Sequence, residues 1–321
     1  MKFRTEITIA PWSDKLEYTD SIVCLGSCFA SNIATKLKES KFNVVDNPVG
    51  ILFNPASIAR SVKLMTSQAT INEADIFERN GRYVSFMFHS ALSGATPEEA
   101  IEVMQNAVTE GSKELANTKL IIITLGSAYV WRDRNGEVVA NCHQVGAKNF
   151  TTELLLLEEI VQSLEDIVRL TSAKILFTVS PVRHLNDGLE GNSLSKALLR
   201  VAIDKVIQNH PERASYFPSY EIVMDDLRDY RFYDTDMLHP STQAVEYITE
   251  KFFDVALSDS AKMQRGRVLE IMQARNHRPL NPTSEAYKNF CRQQLNAIAE
   301  LKDVDFSEEK SYFEQMLQIN L

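Results

Sequence analysis

The chain has 321 residues, of which 44% are hydrophobic and 24% charged, the proportions of a globular protein with room for one large domain and an appendage. A formal charge of −9 argues against a general nucleic-acid binder and predicts a solvated acidic surface. No run reaches the roughly 18 apolar residues a bilayer span needs, and residues 1–20 carry charges throughout, so a cytoplasmic protein without membrane contact is expected.

The first element is the most informative. Ser21-Ile22-Val23-Cys24-Leu25 is an apolar, β-branched run that ends at Gly26-Ser27. Apolar Phe29, Ile33, Ala34 and Leu37 then recur at helical spacing. This reads as strand, tight corner, helix, with Ser27 at the corner. A hydroxyl there stands at the carboxyl end of a strand, the ligand-binding edge of open α/β sheets. It also lies near the unpaired N–H groups of a helix N-terminus, which favour negative charge. Two readings follow: Ser27 is a nucleophile, or it is only an N-cap.

Residues 43–46 suggest a second strand, leading into Asn47-Pro48-Val49-Gly50. Residues 77–89 place Tyr83, Phe86 and Phe88 near Gly81, as in a short hairpin or loop. Residues 97–115 read as a helix capped by Thr96, with Glu98 and Glu99 in its first turn. The apolar runs 120–125 and 174–179 repeat the buried-strand pattern and end at Gly126-Ser127 and Ser180-Pro181. Between them, Asn135-Gly136 favours a two-residue hairpin within 132–142, and 152–171 has helical spacing. A further helix is expected over 193–209. Buried-type strands alternating with helices imply a parallel sheet covered on both faces.

Asp234-Thr235-Asp236-Met237-Leu238-His239-Pro240 is the second strong signal. Asp236 and His239 are three residues apart, a spacing that brings both side chains to one face of a turn. The carboxylate can then orient the imidazole as in a hydrolase relay, although an exposed cap is the plainer reading. Pro240 pre-sets the helix expected over 241–253. Past about residue 258 the composition turns polar, with helical periodicity broken at 279–282. The expected domains are therefore 1–258, an α/β core, and 259–321, a helical appendage suited to packing or self-association.

Other residues carry weaker signals. His143 follows the hairpin, and Arg183 and His184 stand at a strand end, where Arg183 suits a substrate carboxylate or phosphate or, more plainly, a salt bridge with Asp187. Cys24, Cys28, Cys142 and Cys291 lack the paired spacing of a zinc site and are expected to be free, with Cys28 a minor alternative nucleophile. No metal or cofactor is expected, since no second ligand cluster joins Asp234, Asp236 and His239, and the lysine of a phosphate loop is missing.

Gly26-Ser27-Cys28-Phe29-Ala30 spells the motif of the GSCFA family, which the chain resembles. Asn47-Pro48-Val49-Gly50 with Asn54-Pro55, Thr124-Leu125-Gly126-Ser127 and Val179-Ser180-Pro181-Val182-Arg183-His184 extend the resemblance over roughly residues 20–255. That family is similar to the SGNH/GDSL hydrolases. The resemblance implies a flavodoxin-like three-layer sandwich with a parallel central sheet. It implies Ser27 as nucleophile, His239 as base and later acid, and Asp236 as its orienting partner. It also implies oxyanion donors at the N–H groups of Ser27 and Gly50. Where the SGNH pattern places a third donor, an Asn, this chain has Ala128 after Gly126-Ser127. Asn54, Asn141, His143 and Ser127 are the candidate replacements. The expected function is a serine-dependent ester hydrolase or acyltransferase acting on an acylated carbohydrate. The alternative is a weak or inactive hydrolase-fold scaffold that uses its helical tail, with homo-oligomers formed through those helices.

Overall fold

The protein is described by a computed structural model covering residues 4–319. Five strands form the central sheet, in the spatial order Ala214–Tyr216, Lys174–Val179, Leu120–Leu125, Ser21–Gly26, Asn43–Asp46. Ser21–Gly26 pairs in parallel with Leu120–Leu125, which pairs in parallel with Lys174–Val179, itself parallel to Ala214–Tyr216. Numbered along the chain this is the 2-1-3-4-5 order of flavodoxin-like sheets. Ser21–Gly26 and Leu120–Leu125 flank the point where the order reverses, so the binding crevice of this topology opens beyond Gly26 and Leu125.

The sheet strands read as continuous apolar runs because both faces are buried. Val23, Leu25, Ile121, Ile123, Ile175 and Phe177 join one core with the helices Pro55–Thr66, Pro97–Asn117, Leu157–Leu170 and Gly188–Asn209. The alternate residues Ile22, Cys24, Ile122 and Leu176 are equally buried. Two of these helices use ordinary start signals: Asn54 caps the first through Ser57 N–H at 2.8 Å, and Thr96 caps the second through Glu99 N–H at 3.2 Å.

Two expectations shift in detail. Residues 152–154 are not the start of a helix but part of a strand, Thr151–Leu154, antiparallel to Tyr129–Arg132. Two β-branched threonines favour the strand, and Glu159 receives Leu156 N–H at 2.8 Å, fixing the helix start at Leu157. The hairpin at Asn135-Gly136 is longer than two residues. Gly136 N–H donates to Asp133 and Asp133 N–H to Glu137, with only Gly136 at positive φ, which is a type I turn with a bulge. The hairpin Phe77–Arg79 with Arg82–Val84 forms as expected.

By internal packing the chain divides into two compact units. The larger comprises residues up to Ile9, Ser21–Thr35 and Val44–Thr249. The second comprises Ala10–Asp20, Lys36–Asn43 and Glu250–Leu321, so it also recruits two early segments that the sequence reading assigned to the core. Within it Tyr18 stacks on Phe42 at 4.2 Å, Arg265 stands over Phe253 at 4.0 Å, and Lys41 pairs with the buried Glu309 at 2.7 Å. Its helices Asp259–Asn276 and Glu285–Glu300 are capped by Ser258 and Ser284. No helix among the described residues is long and apolar enough to cross a membrane.

Candidate active site

The Ser27 corner is shaped by Gly26, whose φ is +129°. A Cβ there would fall 2.2 Å from the Thr124 carbonyl oxygen, so only glycine fits. Ser27 N–H donates to that carbonyl at 3.0 Å, and Ser27 C=O accepts Ala30 N–H at 2.8 Å as the helix Cys28–Glu39 begins. Ser27 thus occupies the capping position, yet its hydroxyl caps nothing. Oγ is buried and has no hydrogen-bond partner. A cap residue earns its preference through that side-chain bond, so the plainer reading leaves the hydroxyl unexplained.

The segment after Gly50 fills the crevice at the switch point. Leu52 N–H donates to Gly26 C=O at 3.0 Å, while Phe53 C=O accepts Gly126 N–H at 2.8 Å and Ser127 N–H at 3.1 Å. Gly126 packs against Ser27: a Cβ on it would lie 3.3 Å from Ser27 Cβ and 2.7 Å from Phe53 Cβ. Asn54 follows at once. Its Oδ1 is fixed by the cap bond to Ser57, and its Nδ2 has no partner among the described residues.

Asp236 and His239 lie on one loop of the same unit. Asp236 Oδ1 accepts the N–H groups of Leu238 at 2.8 Å and His239 at 3.0 Å, and His239 Nδ1–H donates to Oδ2 at 2.6 Å. The two backbone N–H groups and then the imidazole hold the Asp236 carboxyl at about 2. With the proton on Nδ1, Nε2 keeps the basic lone pair. The loop is closed by Asp234 N–H to His239 C=O at 2.7 Å, and Ser241 caps the next helix through Ala244 N–H.

No hydrogen bond joins Ser27 Oγ to His239. Burial first, then the charge of Lys196, pushes His184 down to about 4, with the Gly126 backbone and His239 also acting on its ring. His184 is therefore neutral at pH 7. Arg183 N–H donates to Leu238 C=O at 3.1 Å, tying the strand end to the Asp236 loop.

A cavity of about 460 Å³ opens beside this cluster, within the larger unit. Asn54, Ser127, Asn141, Arg183 and His184 are on its wall, while Ser27, Gly50, Gly126, His143, Asp236 and His239 are not. The expected oxyanion donors are already engaged: Ser27 N–H by Thr124, and Gly50 N–H by Asn47 C=O at 2.7 Å within the Asn47–Gly50 turn. His143 is a packing residue, buried with Nε2 at 2.7 Å from Ser85 O, and its N–H is held by Asn141. Ser127 Oγ accepts Tyr129 N–H, the ordinary task of a strand-end serine. The salt bridge between Arg183 and Asp187 is absent, because Arg183 stands instead over Tyr233 at 4.1 Å and Tyr230 at 5.1 Å. Cys28 keeps its thiol proton, its pKa pushed up by burial, and all four cysteines are free.

Sequence reading missed Lys196. It is 2% exposed, and its Nζ donates to Gly126 C=O at 2.6 Å and Ser180 C=O at 2.8 Å. It thereby ties together the carboxyl ends of two neighbouring strands. Neighbouring Ser195 donates to Ser127 or accepts from it, and receives Ala128 N–H at 2.7 Å, while Asn192 receives His184 N–H at 3.0 Å. The signal was present: Asn192, Ser195 and Lys196 continue the buried spacing of Leu199, Ala202, Ile203 and Val206 on the helix Gly188–Asn209.

A family model described as the GSCFA family matches residues 21–252, and one described as GSCFA domain protein, C-terminal domain, matches residues 268–319. The chain belongs to the GSCFA family. The first match spans the Ser27 corner, the cavity and the Asp236–His239 loop, and the second lies in the helices of the smaller unit. No curated protein matches the chain.

Proposed function

We propose that this GSCFA protein is a serine-dependent ester hydrolase or acyltransferase. The observation that carries the reading is the Ser27 hydroxyl, which is buried at the sheet's switch point, unpaired, and unused as a cap. Ser27 attacks the ester carbonyl, and His239 Nε2, oriented by Asp236, takes the hydroxyl proton as the loop closes on the bound ester. His239 returns the proton to the leaving alkoxide, and water or an acceptor hydroxyl releases the acyl group. Because the Ser27 and Gly50 N–H groups already serve carbonyls, we assign the oxyanion to Asn54 Nδ2, whose amide is oriented by its own cap bond. The substrate class we favour is an acylated carbohydrate. Four free cysteines favour a reducing, cytoplasmic setting.

A second reading, a scaffold on a hydrolase fold, is favoured by the missing Ser27–His239 hydrogen bond and the engaged N–H groups. A fluorophosphonate probe separates the two. Covalent labelling of the full-length protein that is abolished in Ser27→Ala and in His239→Ala supports the enzyme. Wild-type protein that stays unlabelled between pH 6 and 9 favours the scaffold.

A further inference from the structure

Among the described residues, Arg183 is the only lysine or arginine on the cavity wall, and nothing proposed so far uses it. Its guanidinium stands over the Tyr233 and Tyr230 rings, which hold it in place and leave its charge unneutralised. Among the described residues no carboxylate lies within ion-pair range of it. Asp187 shares the wall without pairing to it, and burial pushes that carboxyl above its usual value. His184, pushed down to about 4, adds no second positive charge.

The rest of the wall is of a different kind. It includes the aromatic residues Phe53, Tyr129 and Trp131 and the neutral amides Asn54, Asn141 and Asn186. Ring faces with amide donors and acceptors between them match a sugar, whose C–H face stacks while its hydroxyls hydrogen-bond. The volume of about 460 Å³ lies within the range of small-ligand sites. One guanidinium matches one carboxylate through two parallel N–H···O bonds. A phosphate dianion would leave charge facing Asp187 with no second cation to meet it.

We propose that the cavity binds a sugar bearing a carboxylate, with Arg183 as the carboxylate's partner, so that the ester presented to Ser27 is an acidic-sugar ester. The identity of the ligand as an ester rests on the hydrolase reading; the carboxylate site does not. Arg183 N–H is bonded to Leu238 C=O, so the bound anion is registered against the loop that carries Asp236 and His239.

The test is calorimetric titration of full-length Ser27→Ala protein at pH 7 with D-glucuronate and D-galacturonate, the parent hexoses, and the hexose 6-phosphates. At least one uronate should bind about 10-fold or more tightly than its parent hexose. Adding Arg183→Gln should remove that advantage, and Arg183→Lys should keep part of it, with melting curves of all variants superimposable. Tighter binding of the 6-phosphates would replace the carboxylate site by a phosphate site. Equal binding of neutral and acidic sugars, no sugar binding, or an unchanged Arg183→Gln would overturn the proposal. Probe labelling of Ser27 in the wild type without uronate binding removes this inference alone, whereas uronate binding without labelling removes the hydrolase reading and leaves this one.

Discussion

Lys196→Met tests the electrostatics beneath the candidate site. Lys196 donates to two carbonyls and, among the described residues, has no carboxylate partner. Burial lowers its pKa from the ordinary 10.5 to about 7, with Cys28 the ionisable neighbour that partly opposes the drop. The folded state therefore holds this proton less tightly than the unfolded chain. Between pH 7 and 10.5 the unfolded state binds more protons, so stability rises with pH in that window. A drop from 10.5 to about 7 corresponds to a destabilisation of roughly 5 kcal/mol, fully present below pH 7 and relieved as pH climbs toward 10.5. Integrated from pH 7 to 9.5, the relief is about 3 kcal/mol.

The sign of the mutational effect at one pH is not diagnostic. Methionine removes the buried charge, but it strands two carbonyls at about 1–3 kcal/mol each, and the two effects nearly cancel. The slope is diagnostic. Urea titrations at pH 7 and 9.5, in a Cys28→Ser background so that the neighbouring thiol does not titrate, should show the stability of the lysine protein gaining about 3 kcal/mol on that of Lys196→Met. His184 is already neutral across this range and drops out of the difference. Curves that stay parallel within about 0.5 kcal/mol would refute the reasoning, because a lysine reached by water keeps its ordinary affinity for the proton.

Asp236→Asn should cut the rate of Ser27 labelling by about 10³–10⁴-fold, since an amide favours the wrong imidazole tautomer; quenched-probe kinetics measures this. Asn54→Ala, assayed the same way, should cost about 10²–10³-fold if its Nδ2 meets the oxyanion, and should also destabilise the helix Pro55–Thr66 by about 1 kcal/mol through the lost cap, read by thermal unfolding. Gly126→Ala forces a methyl against Phe53 and Ser27 and should abolish labelling while lowering stability by about 1–3 kcal/mol in urea titration. Acidification toward pH 2 should loosen the 234–240 loop as Asp236 protonates, because its depressed pKa stabilises the fold only above that range; exchange rates of the Leu238 and His239 amides report it.

The sheet was legible because its strands are buried on both faces and so read as unbroken apolar runs. The local form of the two motifs was legible for a different reason: a Gly-Ser corner and an Asp-x-x-His turn are devices whose geometry depends on a few adjacent residues, as the 2.6 Å Asp236–His239 bond illustrates. What could not be read was set by tertiary partners. Lys196 looks like a solvent residue until the strand-end carbonyls of Gly126 and Ser180 are placed over it. Gly50 looks like a free N–H donor until the turn closes that N–H onto Asn47. Residues 152–154 were read as the opening of a helix over 152–171, and join the strand Thr151–Leu154 because Tyr129–Arg132 offers an edge to pair with. Arg183 looked like a salt-bridge partner of Asp187, and two tyrosines from a distant segment claimed it instead. For Lys196 and Arg183 a polar group's apparent freedom was decided by residues far away in the chain, whereas for Gly50 it was decided within one turn. The Ser27 hydroxyl at the switch point is one of several buried hydroxyls that folding leaves without a partner, and it makes no capping bond.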